Sequence, residues 1–259
     1  MRKNAYEKDQ NCCTILGVRF AVGETEKIMT LALRGGLVVV PSAPVLVASA
    51  DNAVLREALV GSDLAITDSG LMVLFWRILT GENLIRVSGL KYLKLLLEKS
   101  DLQRPGAVLW VMPNAQARDR ALQCLRARGL FVSAEDFYLA PSYPAGRLFD
   151  PELLALVQSR RPLHIIIAIG GGTQERLGYS LKQSLSYRPG IHCIGAAIGF
   201  LSGDQVRIPT WADYLYLGWL FRCLSAPGKF VPRYWRARQL IGLMWRYREK
   251  LPPVKDQAI

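Results

Sequence analysis

The chain is poor in the residues that most often announce chemistry. It has only two histidines, His164 and His192, and both sit inside apolar runs rather than beside a serine or cysteine motif. Strand histidines in such places are more often packed than catalytic, and a serine or cysteine hydrolase is unsupported. The five cysteines, Cys12, Cys13, Cys124, Cys193 and Cys223, are odd in number and show no Cys-x-x-Cys spacing. That argues against a disulfide framework and a zinc site, and fits reduced, cytosolic thiols. The most apolar stretch, 37–50, is interrupted by Pro41 and Pro44 and falls short of the ~20 residues a membrane-spanning helix needs. Residues 1–13 carry charges but lack the apolar core of a secretory leader; a short disordered leader is expected there. Acidic residues are scarce too, 21 against 33 lysines and arginines, for a formal net charge of +12. Such a balance implies an anionic partner: a nucleotide, a diphosphate lipid, a membrane surface or nucleic acid.

With 259 residues and 51% hydrophobic content, the chain can bury a substantial core, as one large domain or one domain with an appendage. Apolar runs at 37–40, 64–66, 107–112, 164–169 and 191–194 read as strands, several buried on both faces. Helical patterns at 24–34, 43–60, 71–79, 91–99, 115–128, 151–159 and 173–185 supply the crossovers of a parallel sheet. The expected fold is α/β, with a Rossmann-like parallel-sheet core over 14–203, helices on both of its faces, and a basic, aromatic C-terminal helical appendage over 204–259. Because strands and helices have finished alternating by Gly203, the core is expected to fold without the appendage.

Two distant segments look suited to a ligand. In Ile66-Thr67-Asp68-Ser69-Gly70 an apolar run stops at an acid and a glycine before a helical pattern. That puts Asp68 at the carboxyl end of a strand, where open α/β sheets bind ligands. Capping of the following helix by Asp68 or Ser69 is the plainer alternative. Arg86, ahead of Ser88-Gly89 and a second helix start, suits an anion, although a solvated surface arginine fits the pattern equally well. In Ile169-Gly170-Gly171-Gly172-Thr173-Gln174-Glu175 backbone amides at a helix start can approach a phosphate or ribose. A tight turn uses the same glycines, and the spacing is not the dinucleotide fingerprint. In the tail, helical spacing brings Ile241, Met244 and Trp245 onto one face flanked by arginines. This is the composition of a helix lying in a membrane interface, with an ordinary packed surface helix as the alternative. No nucleic-acid-binding pattern accompanies it.

The order and wording of these segments resemble the bacterial WecG/TagA/CpsF glycosyltransferase family over most of the chain. The likeness includes Leu16-Gly17-Val18, Asp68 to Gly70, Arg86 with Gly89, Gln174-Glu175, and Gly195 through Gly203, Arg207, Pro209 and Trp219 to Arg222. The resemblance implies an inverting transfer of a sugar from a UDP-sugar to a polyprenyl-diphosphate-linked sugar. The enzyme would be cytoplasmic and peripheral on an anionic membrane surface at the inner face, serving cell-surface polysaccharide assembly. By the same resemblance Asp68 is the base that takes the acceptor's proton, Gln174 and Glu175 border the nucleotide, and tail arginines reach the active site. Ser42, Arg86, Gly170, Gly171, Arg207, Arg222 and Arg233 complete the expected binding set. The sequence has no Asp-x-Asp pair of the kind many glycosyltransferases use for a divalent cation. Arginines and backbone amides are therefore expected to meet the diphosphate charge, with no metal and no cofactor.

The chain departs from the family at four places. The family's Thr-x-Asn reads Val40-Pro41-Ser42, its Gly-Leu-Glu-Trp reads Leu217-Gly218-Trp219, Lys91 replaces an aspartate, and Gly172 replaces a proline. Val40 cannot hydrogen-bond through its side chain, so a changed donor sugar is expected. The competing classes are a noncatalytic sugar-nucleotide or lipid-binding relative and a basic nucleic-acid-binding protein. The donor sugar, the acceptor and the oligomeric state, homo-oligomer included, stay open at this level.

Overall fold

The computed structural model describes residues 12–203 and 218–253. The chain opens with β1 (Cys12–Ile15) and β2 (Val18–Ala21), then runs α1 (Thr25–Ala32), β3 (Gly36–Val39), α2 (Ala43–Asp51), α3 (Ala53–Val60), β4 (Leu64–Ala65), α4 (Gly70–Thr80) and α5 (Gly89–Leu97). It continues with β5 (Val108–Met112), α6 (Ala115–Ala127), β6 (Phe137–Leu139), α7 (Pro151–Arg160), β7 (His164–Ile167), α8 (Thr173–Ser184), β8 (Gly190–Cys193) and α9 (Ala197–Ser202). Three helices complete the described chain: α10 (Gly218–Ser225), α11 (Pro227–Ala237) and α12 (Gln239–Tyr247).

The strands form one sheet in the order β1-β2-β4-β3-β8-β7-β5-β6. Every neighbouring pair is parallel except β1 with β2. The expected α/β core with helices on both faces is therefore present, with one antiparallel edge. Alternation along each strand divides the interior in two. Leu37, Val39, Ile165, Ile167, Ile191 and Cys193 join the cluster that holds α2, α3, α4 and α8. Val38, Ile166 and Ile194 join the other, under α1, α5, α6 and α9. Strands buried on both faces show no alternation of apolar with polar residues, which is why the central ones read as unbroken apolar runs.

Three strands escaped the sequence pattern. Cys12 and Cys13, assigned to the leader, open β1 instead, while residues 1–11 lie outside the described residues. The β1–β2 hairpin turns at Leu16 and Gly17, with φ of +52° and +76°. Two positive φ values are what a two-residue hairpin loop needs, although Leu-Gly is a weaker signal than Asn-Gly. β6 is three residues long. The expected single helix over 43–60 is two helices, because Asn52 adopts extended backbone and its side chain accepts a 2.9 Å hydrogen bond from the Leu55 amide, starting a new helix.

The C-terminal helices are tied into this core. Ala237, Leu240 and Met244 are buried in the cluster that contains Met72, Val73 and Trp76 of α4, and α12 packs against both α2 and α4. The amides of Leu16 and Gly17 donate to the carbonyls of Arg248 and Glu249 at 2.8 and 2.9 Å, so the hairpin and the end of α12 clasp each other. Burying a side chain such as Leu240 or Met244 contributes roughly 1.5–3 kcal/mol, so these residues belong to the core's own stability. The face expected from Ile241, Met244 and Trp245 is divided: Met244 turns inward with Leu240, while Ile241 and Trp245 are exposed.

Candidate functional site

A cavity of about 740 Å³ opens where the loops after β4, β3, β8 and β7 converge. Its position follows from topology. β3 leads into α2 on one face of the sheet, whereas its neighbour β8 leads into α9 on the other. Adjacent strands whose continuations part in this way leave a crevice at their carboxyl ends, the usual ligand site of an open α/β sheet.

Asp68 lies just beyond β4 on the cavity wall. Ser69 caps α4, its hydroxyl accepting from the Met72 amide at 3.2 Å. Asp68 reaches the start of α5, where Oδ1 accepts from the Gly89 amide at 2.9 Å. Its other carboxylate oxygen has no partner among the described residues. Arg86 Nε donates to the Asp68 carbonyl at 2.8 Å, and Thr67 Oγ1 donates to the Ile85 carbonyl at 2.6 Å. Together these bonds fix the loop after β4 to the loop before α5. A half-buried carboxylate oriented through one oxygen can take a proton on the other.

Across the cavity, Gly170 and Gly171 follow β7. Gly170 has φ +116° and Gly172 has φ +93°, a region open to glycine. Proline is locked near −65°, so the backbone route through Gly172 differs from any that a proline at this position would allow. Gln174 and Glu175 also border the cavity, yet both are buried and their polar atoms are turned onto protein. Gln174 Oε1 accepts from the Gly195 amide at 2.7 Å and its Nε2 donates to Glu175 Oε1 at 3.0 Å. Glu175 Oε2 accepts from the Gly172 amide at 2.5 Å. Burial pushes the Glu175 carboxyl up, and these hydrogen bonds offset part of that rise. The pair thus joins the loop after β7 to the loop after β8. Arg176 extends the brace, its Nε donating to the Gly172 carbonyl at 3.1 Å and its terminal nitrogen to the Pro144 carbonyl at 3.1 Å.

Ser42 takes the N-cap position of α2 without a side-chain capping bond, and with Val40 it forms part of the wall. Lys91 does not line the cavity; its Nζ lies 3.4 Å from Thr25 Oγ1. Of the tail arginines, Arg207 lies outside the described residues, and Arg222 and Arg233 fall on α10 and α11 with side chains outside the description. Arg238, a tail cation left out of the expected binding set, does border the cavity, its guanidinium 3.7 Å from the centre of the Trp235 ring. The signal was a cation three residues after an aromatic residue, here at the helical-φ junction that follows α11, a spacing that lets the two meet.

Much of the remaining lining is apolar. Leu71, Phe200, Trp219, Phe230, Tyr234 and Trp235 line it, with the Tyr234 ring 6.3 Å from Trp219 and 6.5 Å from Phe230. The histidines lie in the strands beneath, buried as expected. His192 shares hydrogen bonds with the Tyr92 hydroxyl at 2.8 Å and with His164 at 3.1 Å, and burial lowers the pKa of both imidazoles. Gly190 makes room for them, since a Cβ there would come within 2.6 Å of His164 Nδ1 and 2.7 Å of His192 Nε2.

Among the described residues no group of three or more His, Cys, Asp or Glu side chains is placed to hold a metal ion, and no helix is long and apolar enough to cross a membrane. A family model described as the Glycosyl transferase WecG/TagA/CpsF family matches residues 13–254. No curated protein matches the chain.

Proposed function

Because the chain belongs to the WecG/TagA/CpsF family of glycosyltransferases, we propose that this cavity moves a sugar from a UDP-sugar to a polyprenyl-diphosphate-linked acceptor, with inversion and without a metal ion. The observation that carries the reading is that one cavity is lined both by the strand-end loops with their glycines and Asp68 and by a group of aromatic and aliphatic side chains. A nucleotide diphosphate needs hydrogen-bond donors and cations, while an acceptor on a prenyl chain needs apolar surface at the entrance.

In the proposed reaction the acceptor hydroxyl attacks the anomeric carbon from the side opposite UDP. The new carbon–oxygen bond forms as the bond to the diphosphate breaks, the hydroxyl proton passes to Asp68, and the electron pair leaves with UDP. Arg86, the Gly170 and Gly171 backbone and the tail residues Arg207, Arg222 and Arg233 meet the charge that develops on the diphosphate. Gln174 and Glu175 act by holding the loops that carry this backbone. Ser42 offers one hydroxyl to the donor sugar where Val40 offers none, so the donor differs from that of relatives with Thr-x-Asn. Transfer takes place at the inner face of the cell membrane, as a step in cell-surface polysaccharide synthesis.

The test is incubation of the purified protein with a panel of UDP-sugars and a short-chain polyprenyl-diphosphate-sugar, reading UDP release and product mass. A thermal-shift screen against the same nucleotides identifies the donor, since a ligand of the native state raises its stability. Binding of UDP-sugars with no transfer of any would leave a noncatalytic relative.

A further inference from the structure

The turn of Gly170, Gly171 and Gly172 has nothing packed on it that would hold its shape. A Cβ added at Gly170 or Gly172 would meet no atom within 4 Å, and glycine restricts its own backbone least. Hydrogen bonds hold the turn instead. Glu175 fixes the peptide plane before Gly172 by accepting from its amide, and Arg176 fixes the plane after it, Nε donating to the Gly172 carbonyl at 3.1 Å. The rest of the Arg176 guanidinium reaches away from the site. One terminal nitrogen donates to the carbonyls of Pro144, at 3.1 Å, and Gly146, at 2.5 Å, while the other lies 3.4 Å from Thr173 Oγ1. Pro144 and Gly146 belong to the segment 140–150, which follows the edge strand β6, on the other side of β7 from β8. Neither Arg176 nor that segment borders the cavity. The segment is itself anchored, because the buried carboxylate of Asp150 accepts from the Leu153 amide at 2.9 Å, the Tyr138 hydroxyl at 2.9 Å and the Tyr143 hydroxyl at 2.6 Å.

We infer that Arg176 is a positioning residue for donor binding: it transfers the fixed position of the segment 140–150 to the glycine turn, and so aims the Gly170 and Gly171 backbone at the donor diphosphate. The inference rests on the proposed binding of a UDP-sugar at that backbone. A cation in the first turn of a helix is disfavoured by the helix dipole, and burial lowers the pKa of Arg176. What the side chain gains at this place is geometry. A planar guanidinium can donate to three carbonyls from two segments at once, which the single ammonium of a lysine cannot reproduce. Gln174 ties the same part of the chain to the loop after β8, so the turn is braced toward both of its flanks. Asp68 is held separately, from the start of α5 by Gly89. Loosening the Arg176 brace therefore weakens the grip on the donor and leaves the proton acceptor where it is.

The experiment compares the full chain with Arg176→Met, Arg176→Lys and Tyr143→Phe, by calorimetric titration with UDP, transfer kinetics on a water-soluble acceptor analogue, and amide hydrogen exchange without nucleotide. Arg176→Met should raise the UDP Kd and the donor KM about tenfold, the scale of hydrogen bonds lost from a charged group. The same variant should change kcat less than about twofold, the pattern of lost binding rather than lost transition-state contact. Arg176→Lys should restore little of the affinity. Tyr143→Phe, at the far end of the brace, should weaken UDP binding about threefold and add nothing once Arg176 is already methionine, as coupling through one path requires. In each variant the amides of 170–174 should exchange faster while those of the central strands keep their protection. If Arg176→Met fails to fold, Tyr143→Phe carries the test through the same two readouts, UDP affinity and exchange at the turn. Full recovery by lysine would overturn the inference in favour of charge alone, and additive effects in the double variant would break the link to the segment 140–150. A loss of kcat with unaltered KM would place Arg176 against the reacting groups instead. Unchanged UDP affinity and exchange in the folded variants would overturn the inference outright. A wild type that binds no UDP or UDP-sugar, with exchange at the turn still accelerated in the variants, would count against the donor reading alone.

Discussion

The two walls of the cavity are held in place by different forces. On the sheet side, Asp68 to Gly89 and Arg86 to Asp68 join the loop after β4 to the loop before α5, Gln174 to Gly195 joins the segment after β7 to the loop after β8, and Glu175 to Gly172 braces the turn into α8. On the appendage side, α11 and α12 are seated by Ala237, Leu240 and Met244 against the core. Hydrogen bonds prescribe direction as well as distance, which suits a wall that must aim a carboxylate and amides at a reacting bond. Apolar packing fixes volume but tolerates sliding and exchange of side chains, which suits a wall that admits a chain of methylenes. The comparison teaches that two fully buried residues, the acid Glu175 at the cavity's edge and the leucine Leu240 behind it, each help to hold one side of the site.

The comparison can be broken most forcefully at α12. Leu240→Ala should destabilise the whole protein by about 2–5 kcal/mol, the usual cost of emptying a fully buried leucine site, read as a shift in urea midpoint with unchanged slope. A loss below about 1 kcal/mol would mean the appendage rests on the core without supporting it. On the sheet side, Asp68→Asn should lower kcat about 10²-fold while UDP affinity and melting temperature hold. The amide oxygen of asparagine can still accept from Gly89, so only the proton acceptor is removed. Loss of folding together with UDP binding would show Asp68 to be a structural cap.

A smaller effect separates positioning from contact. Glu175→Gln keeps one acceptor oxygen but turns an NH₂ group toward a donor, either the Gly172 amide or the Gln174 side chain. Leaving such groups mismatched should cost about 1–3 kcal/mol of stability. It should raise the donor KM more than it lowers kcat, because the loops that hold the donor loosen while Asp68 is undisturbed. A pure kcat loss with unaltered stability would instead place Glu175 in direct contact with the reacting groups. The smallest change is expected from EDTA, which should alter the transfer rate less than about twofold if protein cations and amides carry the diphosphate charge. Strict recovery by Mg²⁺ or Mn²⁺ would remove that account.

Much of the framework was legible in the chain because it depends on local patterns. The buried strands β3, β5 and β7 are made mostly of Val, Ile and Leu, and α4 and α8 begin at residues with recognisable cap or glycine chemistry. The β1–β2 hairpin was hidden because β1 carries cysteines and a threonine and its turn is Leu-Gly. The division of α2 from α3 was hidden because one asparagine inside a helical pattern weighs little until its side chain is seen to accept from Leu55. Met244 was misassigned to the outer face because spacing locates a stripe on a helix but not the neighbour that covers it.

The sequence by itself determined the class of fold, the carboxylate at a strand end, the glycines that need positive φ, and the cationic balance, all properties of single residues or of their spacing. Only the tertiary structure decided that Ser69 rather than Asp68 caps α4, that Gln174 and Glu175 are turned inward onto Gly195 and Gly172, and that α12 packs against α4 and closes the core. These are contacts between residues up to some 170 positions apart, such as Met72 and Met244 in one cluster. A local pattern sets which face of an element is apolar, but the partner that buries it is chosen by the packing of the whole chain.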